Sequence, residues 1–580
     1  MPVLRPWTTR RHNGLVLVRW LGLSPSELAV VQTRSASEKE TSMSDVLIVN
    51  PPSPDGHIYI RDMCRWGRKS REKMIWPQSS LAYIAAMVPD DLSVRIIDAI
   101  AEEMSPDEFF EQIDREKPQF YVTYITGTTF EMDAAGVQRA KQAGAVTIAV
   151  GTHVSAVPQN TIDLIPQLDF VIRHEPEMTF RDILDCVRND ADPSQVLGLA
   201  MRKDGKSVVT PDRELLKSLD DLPIPRQHLL PLDKYKMPFL GKRYVWVLTN
   251  RGCPYSCTYC FEGVVWGKSV RFRSAESIYK ELEYLAEHDV HNVLFLADLF
   301  THNREGVMQL CDIIIERGLK VRWTCNSRVD TIDEEMVRKM KQAGCWLIAF
   351  GIESGSQAVL DNVKKDATVE TAAKTIRMCN SLGIKTWGYF IIGLPGENKQ
   401  TVRQTIDFAK SIPLDIALFH VAMPYAGTEF YFQSVANGWL NTTDWKHFDM
   451  NDSAVLGYED FSAEEILKAT KQAFREFYFR PRQMWRMSKM MLSAGDMGMI
   501  WDVCKNFLGW IYSTKEDRVV PKQLQNAPQL KENVNPEDAR NALHSLPVIE
   551  SPRTDPRTAK PRHTGVKQAA QGKSSESIRA

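Results

Sequence analysis

Residues 251–260 read Arg251-Gly252-Cys253-Pro254-Tyr255-Ser256-Cys257-Thr258-Tyr259-Cys260 and follow an apolar run at 244–248. Three cysteines therefore share one loop, separated by three and then by two residues. Thiolates are soft ligands that suit zinc or an iron–sulfur cluster. A closed structural zinc site needs four protein ligands, and the neighbouring sequence offers no fourth Cys or His. The spacing favours a cluster with one iron left open over two alternatives, a zinc site completed by a remote ligand and three buried thiols.

The composition is typical of a globular protein. The chain has 580 residues, of which 43% are apolar and 25% charged, so two or three domains are expected. Its 72 basic and 73 acidic side chains give a net charge of −1, which argues against a nucleic-acid partner. The cysteines outside the loop show no disulfide pattern, and with an oxygen-sensitive cluster they predict a cytoplasmic location. No apolar run reaches the roughly 18 residues of a membrane span.

Both ends of the chain differ from the middle. Residues 1–42 are rich in Arg and Ser, as in a transit peptide. We interpret them as a disordered extension or as a start codon assigned too early, because Met43 stands just before the first strand-like run. From 514 to 580 the chain is rich in Lys, Pro, Gln, Ser and Arg without periodicity, which predicts a disordered tail.

The N-terminal part alternates short β-branched runs with helical stretches. The runs lie at 46–49, 94–97, 120–125, 146–150 and 170–172, and predict a doubly wound parallel sheet over 43–190. Ligands of such sheets bind at the carboxyl ends of the strands. No G-x-G-x-x-G follows the first strand, which argues against a dinucleotide site. The candidate binding residues at these ends are Pro52, Ser53, Thr126, Gly127, Gly151, Thr152, His153 and Glu175.

A second alternation follows the cysteine loop. Strand-like runs at 293–297, 320–325, 346–351, 386–392 and 416–421 join the run at 244–248 and predict a partial (β/α)6 barrel over 244–435. Barrel chemistry sits at the carboxyl ends of the strands. Glycines there let a ligand approach the backbone closely, and charged side chains can bind its polar groups. The candidate residues are Asp298, Arg328, Glu353, Ser354, Gly393 and Gly396.

Three further segments complete the prediction. Residues 61–76 form a basic, aromatic insertion that either faces an anionic group of a cofactor or substrate or is a solvated loop. Residues 191–243 hold a hairpin-like stretch and a proline-rich connector at 219–225, where we place the domain boundary. Residues 436–513 show helical periodicity with many aromatic and Met side chains, which predicts a helical cap over the barrel mouth.

The spacing C-x3-C-x2-C, with Tyr259 directly before Cys260, resembles the signature of radical S-adenosylmethionine (SAM) enzymes. The preceding sheet, with its Pro-Pro loop and Gly151-Thr152-His153, is similar to a cobalamin-binding domain. Together they resemble the B12-dependent radical SAM family. The resemblance implies a [4Fe–4S] cluster on the three cysteines, with SAM chelating the fourth iron. It also implies SAM contacts from Tyr259 and the barrel strand ends, and cobalamin on the strand ends of the first sheet.

Two positions depart from the pattern of cobalamin proteins. Asp55-Gly56-His57 begins the motif that supplies a lower axial histidine elsewhere, but Ile60 stands where that motif requires glycine. We therefore predict that His57 is a loop residue and that the cobalt lacks a histidine on its lower face. His174 also stands where the family usually has glycine.

The resemblance implies a cytosolic methyltransferase. In that chemistry an electron from the cluster cleaves SAM to a 5′-deoxyadenosyl radical, and methylcobalamin gives a methyl group to an unactivated carbon. The expected partners are an external electron donor, such as ferredoxin or flavodoxin, and a small-molecule substrate that can be large and apolar. One alternative is the anaerobic cyclase that acts on a magnesium porphyrin ester. A second, of another class, is a non-catalytic cobalamin carrier or sensor.

Overall fold

The computed structural model describes residues 43–63, 65–237, 240–297 and 299–492, together with 505 and 509. Its N-terminal strands are β1 Val46–Asn50, β2 Tyr59–Asp62, β3 Arg65–Lys69, β4 Val94–Asp98, β5 Phe120–Tyr124, β6 Val146–Val150, β7 Phe170–Ile172, β8 Leu199–Lys203 and β9 Lys206–Val209. Apart from β2 and β3, they form one sheet in the order β4-β1-β5-β6-β7-β8-β9. Pairing is parallel from β4 to β7. The predicted parallel sheet is confirmed.

Helices cover both faces of this sheet. They are α1 Ser79–Ala86, α2 Pro106–Glu116, α3 Phe130–Gln142, α4 Thr152–Ala156, α5 Pro158–Leu164 and α6 Pro176–Arg188. Val46 and Ile48 pack on one side of the sheet, whereas Leu47 and Val49 pack on the other. Burial on both faces explains why β1 is apolar throughout instead of alternating with polar residues.

Strands β8 and β9 were predicted as a hairpin within the linker. The structure instead pairs β8 with β7 in antiparallel register, Phe170 opposite Met201. The hairpin is thus the edge of the sheet, which extends to Val209. Only Asp204 and Gly205 separate β8 from β9, a connection that antiparallel strands allow.

The basic insertion after β1 forms the hairpin β2–β3. Its Arg61 is fully buried. Arg61 Nε donates to Asn50 Oδ1 at 2.6 Å, and its Nη1 donates to Asp133 Oδ1 at 2.6 Å. Asn50 Nδ2 in turn donates to Asp98 Oδ1. Because Asn50 and Asp98 end β1 and β4, the hairpin packs directly over these strand ends and is not the solvated loop of the alternative prediction.

The second sheet curves into the barrel. Its region contains β10 Val245–Leu248, β11 Asn250–Arg251, β12 Arg271–Phe272, β13 Asn292–Leu296, β14 Arg322–Ser327, β15 Cys345–Glu353, β16 Lys385–Ile392 and β17 Ile416–Val421. The sheet order is β10-β13-β14-β15-β16-β17, with β11 and β12 paired apart from it. All its neighbours are parallel. The predicted partial (β/α)6 barrel is confirmed.

Helices alternate with these strands and cover their outer face. They are α7 Glu262–Val265, α8 Ala275–Glu287, α9 Arg304–Glu316, α10 Glu334–Gln342, α11 Gln357–Asn362, α12 Val369–Ser381, α13 Lys399–Ser411 and α14 Glu429–Ala436. Phe295, Trp323 and Ile348 point from three neighbouring strands into the core beneath them. The inner face of the same strands is thereby left for a ligand.

Two C-terminal helices, α15 Ala463–Tyr478 and α16 Pro481–Leu492, pack on the barrel. The Phe474 ring of α15 lies 5.3 Å from that of Phe419 in the edge strand β17. Gln483 Nε2 of α16 donates to the carbonyl of Asp415 at 2.6 Å. Asp415 precedes β17, so α16 lies at the amino-terminal end of the barrel. The prediction of a cap over the barrel mouth is therefore wrong for this helix.

The two halves of the molecule share one hydrophobic core. Trp246 and Leu248 of β10 belong to the same buried cluster as Val46 and Ile48 of β1. Trp246 Nε1 also donates to the carbonyl of Pro77 at 2.9 Å. The proline-rich segment at 219–225 therefore connects two halves that pack tightly together. No described helix is long and apolar enough to cross a membrane.

Candidate active site

The cysteine loop begins where β11 ends. Gly252 has a φ of +87°, and a Cβ atom there would overlap the carbonyl oxygen of Ser269, so only glycine fits. Thr258 holds the loop to the barrel, since its N–H donates to the Val363 carbonyl at 3.1 Å and its own carbonyl accepts from Phe430 N–H at 2.9 Å. The loop geometry is thus fixed by backbone contacts on both sides.

The three thiols lie together at this loop. None of Cys253, Cys257 and Cys260 forms a disulfide, and all three are half-buried. Burial raises the pKa of Cys260 well above its usual value, and the charges of Glu262, Cys257 and Cys253 raise it further. Among the described residues, no three His, Cys, Asp or Glu side chains converge on a single metal ion. Three thiols on one short loop are the ligand set that the predicted iron–sulfur cluster needs.

Two buried cations flank the thiols. Arg328 and Lys365 both line the cavity at the barrel mouth, and both feel the charge of Cys257. Arg328 donates to both carboxylate oxygens of Asp330, at 2.9 and 2.8 Å, and its guanidinium lies 3.5 Å from the centre of the Tyr255 ring. The role of Arg328 as partner of the SAM carboxylate stays a prediction, because Asp330 already engages it here.

Glu353 occupies a strained position at the end of β15. Its φ is +69°, in a region that residues other than glycine rarely adopt, and the register of β15 shifts beside it. Its carboxylate accepts from Lys365 Nζ at 2.8 Å, with both side chains almost fully buried. Such strain concentrates at functional sites. A binding role for Glu353 stays a prediction, and Lys365 lies against its carboxylate.

A cavity of about 390 Å³ runs from this mouth along the inner face of the barrel. Its upper wall contains Glu353, Lys365 and Asn250. Asn250 is 1% exposed, and neither end of its amide has a hydrogen-bond partner among the described residues. Its lower wall is aromatic and includes Trp246, Trp346, Trp387 and Tyr389. The cavity thus joins a polar mouth to an aromatic interior.

Four of the other predicted SAM residues lie on the cysteine loop or just after β15 and β16. Tyr259 packs on the barrel core, and Ser354 is fully buried with its hydroxyl 3.0 Å from that of Thr405. Gly393 and Gly396 have φ values of +99° and +80°. A Cβ atom at Gly393 would press on Ile466 of α15, so this glycine makes room for the protein itself. Asp298 lies outside the described residues.

The predicted cobalamin residues lie beneath the hairpin β2–β3. Thr152 Oγ1 donates to the Met63 carbonyl at 2.6 Å, and a Cβ atom at Gly127 would lie 2.8 Å from Trp66 Nε1. The ring of His153 lies 4.8 Å from that of Trp66. Both nitrogens of His153 and Nε1 of Trp66 are buried without hydrogen-bond partners in the described structure. Burial lowers the pKa of His153 to about 3, so this imidazole is neutral.

The other predicted cobalamin residues at these strand ends differ in how deeply they are buried. Pro52 is buried and Ser53 half-buried. Thr126 N–H donates to Asp133 Oδ2 at 3.0 Å, and Gly151 has a φ of +127° that permits the sharp turn after β6. His57 is 63% exposed beside Asp55, which agrees with its predicted place in a loop.

Glu175 joins the two halves of the molecule. Its carboxylate accepts from Arg271 Nη1 at 2.6 Å and from Arg251 Nη1 at 3.3 Å. Arg251, two residues before Cys253, also pairs with Glu177. These side chains are almost fully buried. Glu175 therefore anchors the cysteine loop to the first domain, and its predicted contact with cobalamin stays a prediction.

Comparisons with known proteins agree with this geometry. The family model for the radical SAM superfamily matches residues 247–409, and that for the B12-binding domain matches residues 71–184. An uncharacterised methyltransferase of Pyrococcus horikoshii is 35% identical over 411 residues, which cover 70% of this chain and 88% of that protein. The chain belongs to the B12-binding radical SAM family.

Two further relatives of the family have named activities. The anaerobic magnesium-protoporphyrin IX monomethyl ester cyclase of Rubrivivax gelatinosus is 28% identical over 70% of this chain and 74% of its own. Among solved structures, the radical SAM methyltransferase TsrM of Kitasatospora setae covers 76% of this chain and 90% of its own, with 16% identity and a TM-score of 0.59. At that identity TsrM shows the common fold alone.

The residues present fit the cofactors of the family. Grouped thiols beside Arg328 and Lys365 suit a cluster, because these cations offset the charge that thiolates bring. The unpartnered Asn250 amide and the Glu353 carboxylate can bind the polar groups of SAM. On the first sheet, the nitrogens of Trp66 and His153 are buried and unpartnered in the described structure, and they would reach the amide groups of a corrin only with the hairpin β2–β3 moved off the strand ends.

Sequence reasoning missed two residues of the cavity wall and left the position of a third open. Lys365 is indistinguishable in sequence from its exposed neighbour Lys364. Asn250 lies on a two-residue strand that has no periodic signal. Arg68 was noticed as part of the basic insertion, but nothing local indicated that β3 brings it to the barrel. In each case the position depends on contacts between distant segments.

Proposed function

We propose that the protein transfers a methyl group from SAM to a carbon atom of a small molecule bound in the barrel cavity. The observation that carries this proposal is the continuity between the cysteine loop, the charged mouth and the aromatic interior. When bound, the cluster, SAM and cobalamin supply the radical and the methyl group. The chain itself positions the reactants and keeps water away from them.

Each wall of the cavity has a part in that positioning. Glu353, Lys365 and Asn250 offer hydrogen bonds at the mouth, where the thiols stand. Met237, Met74 and Trp76 from the N-terminal half close the open side of the barrel. The substrate is thereby enclosed between the two domains, which protects a radical from solvent.

The cyclase activity is the second candidate within the same family. It would require room for a porphyrin ester, whereas about 390 Å³ is near the lower end of the range for drug-sized ligands. The volume favours a smaller substrate. An external electron donor, such as ferredoxin or flavodoxin, belongs to this proposal because radical SAM enzymes need a reductant.

The test uses the anaerobic holoenzyme, a reductant and SAM labelled with deuterium in its methyl group. A small-molecule extract of the producing organism serves as the source of substrate. Mass spectrometry should find a product that gains the labelled methyl group together with 5′-deoxyadenosine. Formation of 5′-deoxyadenosine with an oxidised, unlabelled product would contradict methyl transfer and support the cyclase. Absence of both products would support the carrier or sensor.

A further inference from the structure

The turn after hairpin β2–β3 brings an ion pair into the wall of the barrel cavity. Arg68 Nη2 donates to Glu72 Oε1 at 2.7 Å, and both side chains line the cavity, 17% and 18% exposed. Tyr389 of β16 and His420 of β17 line the same part of the wall. The accessible edge of the pair therefore faces the ligand space.

The hairpin does not need this pair to stay in place. Lys69 N–H donates to Asp449 Oδ2 at 3.2 Å, and the Lys69 carbonyl accepts from Asn451 Nδ2 at 2.7 Å. A buried ion pair contributes little to stability compared with apolar side chains of similar size, because both charges lose hydration. The position of Arg68 and Glu72 in a cavity wall is better explained by a ligand.

Both members of the pair remain charged. Burial raises the pKa of Glu72, but the charge and hydrogen bond of Arg68 outweigh it and lower that pKa on balance. His420 is neutral, because burial lowers its pKa to about 3. A ligand at this wall thus meets one cation and one anion side by side.

Aromatic rings form the neighbouring wall. The rings of Trp387 and Tyr389 lie 5.7 Å apart on the inner face of β16, and Trp346 and Trp76 line the same cavity. The indole nitrogens of Trp346 and Trp387 are buried and lack partners among the described residues. Such surfaces bind flat rings through offset or edge contacts.

We infer that the substrate is an aromatic molecule that carries both a carboxylate and an ammonium group, as an aromatic amino acid does, and that Arg68 and Glu72 bind these two groups. This inference rests on the proposed function and names its substrate class. A ligand with a carboxylate alone would draw Arg68 away from Glu72 and leave a buried carboxylate unpaired, which is costly. A ligand with both charges compensates both side chains.

The test is calorimetric titration of the anaerobic holoenzyme without a reductant, so that no turnover occurs. The probes are L-phenylalanine, hydrocinnamate, which lacks the amino group, and phenethylamine, which lacks the carboxylate. L-Phenylalanine should bind at least tenfold more tightly than either analogue. Equal affinity for the three probes, or no binding of any, would overturn the inference without touching the methyl-transfer assay.

Three variants identify the side chains responsible. In Arg68→Gln, L-phenylalanine should no longer bind more tightly than phenethylamine. In Glu72→Gln, it should no longer bind more tightly than hydrocinnamate. Lys69→Gln is the matched control, because Lys69 lies on the same hairpin but does not line the cavity. Its Nζ pairs instead with Asp55 Oδ2 at 2.8 Å. Loss of selectivity in the control as well would contradict the assignment. The comparison of probes on the unmodified protein decides the question even where a variant fails to fold.

Discussion

At the carboxyl ends of β1 and β5 the protein fills its own crevice, whereas at the ends of β14 and β15 it leaves a cavity. Arg61 from the inserted hairpin compensates Asp133 at the first edge, and Trp66 covers Gly127 and His153. At the second edge, Glu353 and Lys365 face a space continuous with the barrel interior. In both sheets, ligands are expected at the carboxyl ends of the parallel strands.

The difference shows what that rule leaves undetermined. It locates the edge of a parallel sheet where ligands bind, but whether the edge is open depends on segments that pack there from elsewhere. One hairpin acts on both edges, since Arg61 fills the first and Arg68 lines the cavity of the second. The two ends should therefore respond differently to substitution.

The largest effect is expected at the cysteine loop. Replacement of Cys253, Cys257 or Cys260 by Ala removes one of the grouped thiols, so the iron chromophore and SAM cleavage should both be lost. The control is Cys379→Ala, because Cys379 is fully buried in the barrel core. Iron content and 5′-deoxyadenosine yield are the measurements. Unchanged iron in the loop variants would refute the assignment.

At the filled edge the expected effect is on stability. Arg61→Met leaves Asp133 buried without its cation, which should cost about 3–5 kcal/mol in the free energy of unfolding. Arg139→Met is the matched control, since Arg139 pairs with Asp114 at the surface and should cost about 0–1 kcal/mol. Urea unfolding followed by circular dichroism measures both. Equal costs would show that the edge is not held by this network.

At the open edge a smaller effect on ligand binding is expected. Lys365→Met removes the partner of the Glu353 carboxylate and should weaken SAM binding by about tenfold, as loss of a charged hydrogen bond does. Lys364→Met is the adjacent control, because Lys364 is exposed and pairs with Glu429 at 2.8 Å. Equilibrium binding of SAM to the holoenzyme is the measurement. Equal loss in both variants would argue for an unspecific charge effect.

The smallest effect concerns the pH dependence of stability near the open edge. Burial raises the pKa of Glu397 to about 8, and its Oε1 lacks a partner in the described structure. Between about pH 5 and 8 the Glu397 carboxyl is protonated in the folded state but ionised in the unfolded state. The free energy of unfolding therefore falls as pH rises through this range. Glu397→Gln should flatten that fall, because the Gln amide does not titrate between these pH values. The melting temperatures of the unmodified protein and of Glu397→Gln are measured at pH 5 and 8. An equal drop in the two proteins would contradict the role of Glu397.

The strands were predictable because their signal is local. Residues 146–150 and 170–172 were predicted with the bounds that the structure shows, since parallel strands buried on both faces are apolar throughout. The cysteine loop was predictable because its ligands are close in sequence. In these regions the information lies within a few residues.

The contacts between distant segments were not predictable. Arg61 bonds to Thr129 and Asp133, about 70 residues away, and no periodic pattern indicates such a pair. The amphipathic pattern of α16 predicted a helix, but the pattern is the same whichever end of the barrel it closes. The shared core around Trp246 was not predictable either, because the proline-rich connector at 219–225 indicated only a boundary between two domains.

Electron paramagnetic resonance of the reduced, anaerobically reconstituted protein tests most directly whether the cysteine loop and the barrel mouth form one site. A [4Fe–4S] cluster with an open iron should give a signal that changes when SAM is added, and the change should weaken in Lys365→Met but not in Lys364→Met. A signal indifferent to SAM, or one zinc per chain without iron, would contradict the account.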